Sequence, residues 1–190
     1  MTNDIDARPH GIATRAMHWG VALLVVLAWL TGSTMEWFPR GAGRDAATMV
    51  HYSLGVLVLG FAALRVAWRA VSPLPPVPGQ PRWQHLAAVA VHVALTVLTI
   101  ALPLSGLFDR WARGRQVTVF GSLDLPAPLP IPGGRLWGEV HEVMGNLLLA
   151  VVAAHVAAAL WHHVVMKDGT LRRMLPPRRP AQTLSSGSPS

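Results

Sequence analysis

Four apolar stretches, each about twenty residues or longer, constrain the fold of this chain more than any other feature. They run at about residues 16–35, 48–68, 85–108 and 140–166. None alternates with the period of two that a half-buried strand requires. Because a backbone in lipid must satisfy its own hydrogen bonds, each stretch is predicted to be a transmembrane helix. The predicted fold is all-α, an integral membrane four-helix bundle within residues 1–175.

The composition agrees with a membrane protein and excludes several kinds of site. Of the 190 residues, 52% are hydrophobic and only 13% are charged, whereas about 25% are charged in soluble domains. The absence of cysteine excludes disulfides, thiolate zinc sites, iron–sulfur clusters and c-type haem attachment. The net charge of +7 suits anionic lipid headgroups. The predicted partner is therefore a lipid bilayer, and no nucleic acid is expected to bind. Any metal chemistry must rest on the nine histidines.

The segments outside the four stretches are predicted from their proline and polar content. The proline-rich stretch 71–84 should be extended, and residues 176–190 should form a disordered cytoplasmic tail. Pro103 should kink the third helix near its end or stop it early. The first apolar stretch is longer than a signal-peptide core and lacks a good cleavage site, so it should be retained as a helix.

The basic residues predict the orientation of the bundle. Ten lie on the side of the N-terminus: Arg8, Arg15, Arg65, Arg69, Arg82, Lys167, Arg172, Arg173, Arg178 and Arg179. Six lie on the opposite side: Arg40, Arg44, Arg110, Arg113, Arg115 and Arg135. Since Lys and Arg are enriched in cytoplasmic segments, both termini are predicted to be cytoplasmic.

Four histidines within the predicted spans sort into two levels. His18, early in the first helix, and His155, late in the fourth, fall near the inner surface. His51 and His141, both early in helices that run inward, fall near the outer surface. His141 and His155 share a helix face and are separated by a rise of roughly 21 Å. Each level therefore offers two imidazoles from two different helices.

Two neutral imidazoles that face each other across a bundle suit the axial positions of a low-spin haem iron. A single histidine near a span end is more often an interfacial residue that reaches towards the headgroups. The matched depths of two pairs favour two haems instead. Zinc, and with it a histidine-rich metal transporter, is the weaker alternative, because zinc prefers three or four protein ligands and the spans contain no carboxylate except that of Glu142 at an edge.

Three further residues are candidates near the inner level. Arg65, on the face of His51, could pair with a haem propionate or reach towards lipid phosphate. His162, on the face of His155, is a candidate contact for a quinone or for a haem propionate. His92 either lines a quinone pocket or bonds to another helix. No residue is predicted to be catalytic in its own right.

Several motifs together resemble the bacterial cytochrome b561 family. They are MHW in the first helix, MVHYSLG, ALPLSG, WGEVHEVMGNLLLAVVAAHVAAALWHH in the fourth helix, and KDGTLRRMLP after it. The resemblance extends from about Arg15 to Pro177. It implies two haem b groups held by His18, His51, His141 and His155, and it implies a multi-pass protein of the bacterial inner membrane.

The resemblance leaves more than one function open. One activity in that family is electron transfer from periplasmic superoxide to ubiquinone, which makes superoxide the donor and ubiquinone a bound substrate. The outer arginines could then steer the anion locally. Other members anchor hydrogenases or related dehydrogenases, so a haem-bearing anchor with a peripheral protein partner is the alternative.

Overall fold

The computed structural model describes residues 10–73 and 81–176, and it confirms an all-α bundle of four long helices. All four are long and apolar enough to cross a membrane. The second and third helices extend beyond their apolar stretches at both ends, whereas the first and fourth begin four residues early and end before the predicted bound. The helices are α1 (Ile12–Thr34), α2 (Ala42–Val71), α3 (Arg82–Ala112) and α4 (Leu136–Trp161).

Neighbouring helices run in opposite directions, as contacts between their ends show. Trp68, late in α2, donates its indole N–H to Thr14, early in α1 (3.1 Å). His141, early in α4, contacts Leu102, late in α3. We call the end that carries the α1–α2 and α3–α4 connections the hairpin end, and the opposite end, which holds His10 and Pro176, the terminal end.

Most large apolar side chains point away from the bundle. Leu23 of α1 is 60% exposed and Val97 of α3 is 56% exposed, whereas few side chains, Val58 and Leu98 among them, are buried between helices. A soluble protein of this size would not expose so much apolar surface. The outward face is therefore the one that lipid covers.

Of the two effects predicted for Pro103, a kink or an early stop of the third helix, the structure excludes the stop. The helix does not stop there but continues to Ala112. Ending a helix inside lipid would leave its last carbonyls without partners, whereas a proline removes a single N–H donor. Continuing through Pro103 is the less costly arrangement.

A β-hairpin of two short strands, which was not predicted from the sequence, covers part of the bundle at the hairpin end. Strands β1 (Val117–Val119) and β2 (Leu123–Leu125) pair in antiparallel fashion. The side chains of Val117 and Val119 are fully buried. The Phe120 N–H in the turn donates to the Ser53 hydroxyl of α2 (2.8 Å), so this connection is fixed to the bundle.

At the terminal end, the segment after α4 returns to the start of α1. The Trp19 indole donates to the Met174 carbonyl (2.9 Å), and Arg15 Nη1 donates to the Leu175 carbonyl (2.7 Å). Burial lowers the pKa of His10, and the positive charges of Arg173, Arg69 and Arg15 lower it further. Half of the predicted extended stretch 71–84, residues 74–80, lies outside the described residues. Its last three residues, 82–84, were wrongly predicted to be extended, because α3 begins at Arg82. The predicted tail lies almost wholly outside the described residues.

Candidate functional site

His51 and His141 face each other at the hairpin end. Their ring centroids are 6.2 Å apart and their planes are nearly perpendicular, at 86°. A cavity of about 360 Å³ opens beside them. It is lined by both histidines and by residues from three helices, the loops and β1, including Glu36, Tyr52, Gly55, Pro103, Asp109, Arg110 and Val117.

His18 and His155 face each other at the terminal end. Their ring centroids are 6.3 Å apart, with 60° between their planes. The ring of His92, from α3, lies 5.5 Å from that of His155. The positive charge of Arg65 acts on all three imidazoles. The structure thus brings together His18, His155 and His92, with Arg65 nearby.

Both pairs have the spacing that one iron between two imidazoles requires. Metal–imidazole bonds of about 2 Å place the two coordinating nitrogens about 4 Å apart and the ring centroids about 6 Å apart. Open space also lies beside the hairpin-end histidines. A methyl group added at Gly55 or at Gly145, each four residues after a hairpin-end histidine, would meet nothing within 4 Å. The residues present therefore fit haem.

The two hairpin-end imidazoles are held through Nδ1. His51 Nδ1 donates to the Ala28 carbonyl of α1, and His141 Nδ1 donates to the Leu102 carbonyl of α3, each at 2.9 Å. A carbonyl only accepts hydrogen bonds, so the proton of each neutral ring lies on Nδ1. The Nε2 atoms carry no proton and are left able to coordinate a metal.

Charged groups surround the hairpin-end cavity. The Arg110 guanidinium lies 5.4 Å from the centre of the Tyr52 ring. Its Nε is buried and has no hydrogen-bond partner among the described residues. Asp109 pairs with Arg113 instead, at 2.5 Å. A buried cationic donor without a partner beside the histidine pair suits an anion.

His162 is fixed by the segment that follows α4. It begins a π-helical turn that ends at Met166, and its Nδ1 contacts the Asp168 carboxylate at 2.5 Å. Burial raises the pKa of Asp168, but hydrogen bonds from His162 and Thr170 outweigh it and hold that pKa below its usual range. The carboxylate therefore orients the imidazole and leaves its Nε2 free.

The site favours one class of metal centre over another. Within residues 10–73 and 81–176, no group of three or more His, Asp or Glu side chains is arranged to hold a metal ion. A zinc site or metal-transport path therefore gains no support from the donor set. Four membrane-spanning helices with an imidazole pair near each end are typical of membrane-bound b-type cytochromes.

Comparisons with known proteins agree with this class. The family model described as prokaryotic cytochrome b561 matches residues 9–177. Cytochrome b561 homolog 2 of Escherichia coli K12 is 34% identical over 170 residues, which are 87% of this chain and 90% of the relative. Cytochrome b561 homolog 1 of the same organism is 33% identical over 167 residues, 86% of this chain and 94% of the relative.

A third relative carries a name that states an activity. It is the probable superoxide oxidase CybB of Yersinia pestis, 31% identical over 173 residues, or 86% of this chain and 93% of the relative. The chain belongs to the prokaryotic cytochrome b561 family. It is accordingly a multi-pass bacterial membrane cytochrome that binds haem b and takes part in electron transfer.

Proposed function

We propose that this protein is a di-haem cytochrome b of the bacterial inner membrane that transfers electrons from periplasmic superoxide to ubiquinone. The observation that carries the proposal is the presence of two imidazole pairs with nearly equal spacing, 6.2 Å and 6.3 Å, at opposite ends of one bundle. Two such sites at two depths form a path for electrons across the apolar layer.

We assign the four histidines to two ligand pairs. His51 with His141 would hold iron at the hairpin end, and His18 with His155 would hold iron at the terminal end. Haem b, when bound, supplies one-electron oxidation and reduction. The chain contributes fixed ligands in a low-dielectric bundle. Arg65, beside the terminal-end pair, is the proposed partner for a propionate there.

The hairpin end suits a small anionic donor. Arg110 supplies a buried, unpartnered Nε beside the cavity. Arg40, Arg113, Arg115 and Arg135 add positive charge in the surrounding connections, which raises the local concentration of an anion. The relative named as a probable superoxide oxidase supports superoxide as that anion. Each superoxide gives up one electron and leaves as O₂.

The terminal end suits the quinone. His162 is half-buried, and Asp168 holds its Nδ1. When the imidazole is protonated, its Nδ1–H donates to Asp168, and its Nε2–H can donate to a quinone oxygen and pass its proton there. One ubiquinone takes up two electrons, from two superoxide anions, and two protons from solvent to form ubiquinol. His92 lies close enough to His155 to share in this site.

Stopped-flow reduction of the purified haem-loaded protein tests the proposal. A superoxide flux should reduce the haems, and added ubiquinone should reoxidise them, while superoxide dismutase in the mixture should abolish the reduction. Haems that stay oxidised under superoxide but are reduced by a co-purifying dehydrogenase subunit would contradict the proposal. They would establish the anchor function instead.

A further inference from the structure

The two hairpin-end histidines are held by the same local structure, repeated in α1 and α3. In α1, the Ala28 carbonyl accepts a hydrogen bond from His51, the hydroxyl of Thr31 follows three residues later, and Gly32 follows next. In α3, the same places are taken by Leu102, Ser105 and Gly106. We call these groups the α1 seat (Ala28, Thr31, Gly32) and the α3 seat (Leu102, Ser105, Gly106).

The hydroxyl in each seat lies against both the carbonyl and the imidazole. Ser105 Oγ donates to the Leu102 carbonyl at 2.7 Å and lies 3.1 Å from His141 Nδ1. Thr31 Oγ1 lies 3.0 Å from the Ala28 oxygen and 3.4 Å from His51 Nδ1. A hydroxyl has one proton, and here that proton goes to a helix carbonyl. The hydroxyl oxygen is therefore left to accept from the imidazole N–H.

The glycine in each seat makes room for the ring. A Cβ atom built on Gly32 would lie 2.8 Å from Cε1 of His51, and one on Gly106 would lie 3.0 Å from Cε1 of His141. Any larger residue would displace the imidazole. Positions three and four after a carbonyl lie on the same helix face as that carbonyl. Each seat is thus a single surface that one imidazole fills.

The terminal-end pair has a different environment. In the part of the chain that the structure describes, no hydrogen bond reaches a ring nitrogen of His18 or His155. The nearby charge is that of Arg65, which acts on both rings. At the hairpin end, by contrast, the carboxylates of Glu36 and Asp109 line the cavity together with Arg110.

We propose that the α1 and α3 seats position His51 and His141 as the more strongly electron-donating ligand pair, and thereby give the hairpin-end haem the lower reduction potential of the two. This inference rests on the proposed di-haem function. Thr31 and Ser105 are its positioning residues, because they act on the iron only through the imidazoles.

Two physical effects support this order of potentials. An acceptor at Nδ1 makes an imidazole more basic at Nε2, which favours ferric iron. A nearby cation favours the ferrous state, in which the iron carries one positive charge less. Arg65 acts in this way at the terminal end, whereas at the hairpin end the carboxylates of Glu36 and Asp109 oppose the effect of Arg110. Electrons that enter at the hairpin end would then pass to the terminal end with a gain in free energy.

A spectroscopic redox titration of the haem-loaded protein tests the inference. The wild-type protein should show two one-electron waves, and the wave that is absent from His51→Ala should be the one at lower potential. Ser105→Ala should move that wave upward and leave the other in place. Thr31→Val should move it less, because its hydroxyl lies farther from the ring. Ser105→Thr should restore the wild-type potential.

Matched control variants distinguish an effect on the position of the imidazoles from a general disturbance of the helices. Thr99 and Thr34 donate their hydroxyls only to carbonyls of their own helices, so Thr99→Val and Thr34→Val should move neither wave. A hairpin-end wave that lies higher than its partner, or that stays or falls in Ser105→Ala, overturns the inference. Detection of a single haem per chain would instead refute the di-haem function itself.

Discussion

The rings of His18, in the first helix, and His155, in the last, lie 6.3 Å apart although most of the chain separates them in sequence. The first and fourth helices therefore meet at the terminal end, where the segment around Met174 also returns to Trp19. A ligand pair built this way depends on closure of the whole bundle, and it makes the assignment of ligands testable residue by residue.

Replacement of single histidines should remove haem in matched pairs. His51→Ala and His141→Ala should lose the same haem, and His18→Ala and His155→Ala the other, because two short axial bonds cannot span roughly 21 Å of helix rise. Pyridine haemochrome content should fall from near two towards one per chain. His85→Ala, at an exposed position of α3, is the control. The same residual spectrum in His51→Ala and His155→Ala would contradict the pairing.

Enlargement of either seat glycine should displace a hairpin-end imidazole. Gly32→Ala and Gly106→Ala place a methyl group within about 3 Å of a ring carbon, and overpacking of this kind costs about 1–3 kcal/mol. The hairpin-end haem should be lost or its spectrum altered, with the other haem retained. Gly60→Ala, where the added Cβ meets nothing within 4 Å, should bind both haems normally.

Removal of the Arg110 charge at the hairpin-end cavity should slow reduction by superoxide. In Arg110→Gln the rate constant should fall severalfold and depend less on ionic strength, because salt screens the attraction that the guanidinium provides. Stopped-flow rates at low and high salt give the measurement. Arg44→Gln, whose side chain bonds to the carbonyls of Glu36 and Phe38, is the control. Equal losses in both variants would argue for overall charge rather than a local site.

Loss of the Asp168 carboxylate should weaken the reaction with quinone. The pKa of Asp168 is held below its usual range, so the contact with His162 is complete above about pH 4 and is lost only as pH falls through the lowered value. Asp168→Asn should therefore raise the KM for ubiquinone severalfold throughout pH 5–8, with superoxide-driven haem reduction unchanged. Asp124→Asn, in β2, serves as control. An effect on the superoxide step instead would place Asp168 outside the quinone site.

Reporter fusions test the predicted orientation. A fusion after Gln182 should report a cytoplasmic location, and a fusion at Gly121, in the turn of the β-hairpin, should report a periplasmic one. A periplasmic signal at Gln182 would show that the ten-to-six distribution of basic residues does not set the topology.

The helices could be predicted because their signal is local, but their ends could not. A run of about twenty apolar residues specifies a helix in lipid whatever its neighbours are. Asp45 and Arg110 lie outside such runs and still extend α2 and α3. The β-hairpin at Val117 was missed because two three-residue strands flanked by Gly and Pro have no measurable period.

For the candidate site, the sequence could predict only how deep each histidine lies along its helix. Position in the sequence gives the level of His51 and His141, but not which carbonyl each ring meets on a neighbouring helix. The pairs Thr31–Gly32 and Ser105–Gly106 were the signal available in the sequence. Their role could not be inferred from the sequence, because only the structure shows that each lies beside a histidine. The place of His92 beside His155 was likewise left open by its spacing.

The seats also bear on how the protein is made. Each seat joins helices that follow one another in the chain, α1 with α2 and α3 with α4, so it can form as soon as one helical hairpin enters the bilayer. Each imidazole pair, in contrast, joins one hairpin to the other. We therefore expect the two helical hairpins to insert separately and to close on each other later, when a prosthetic group between the imidazole pairs joins them.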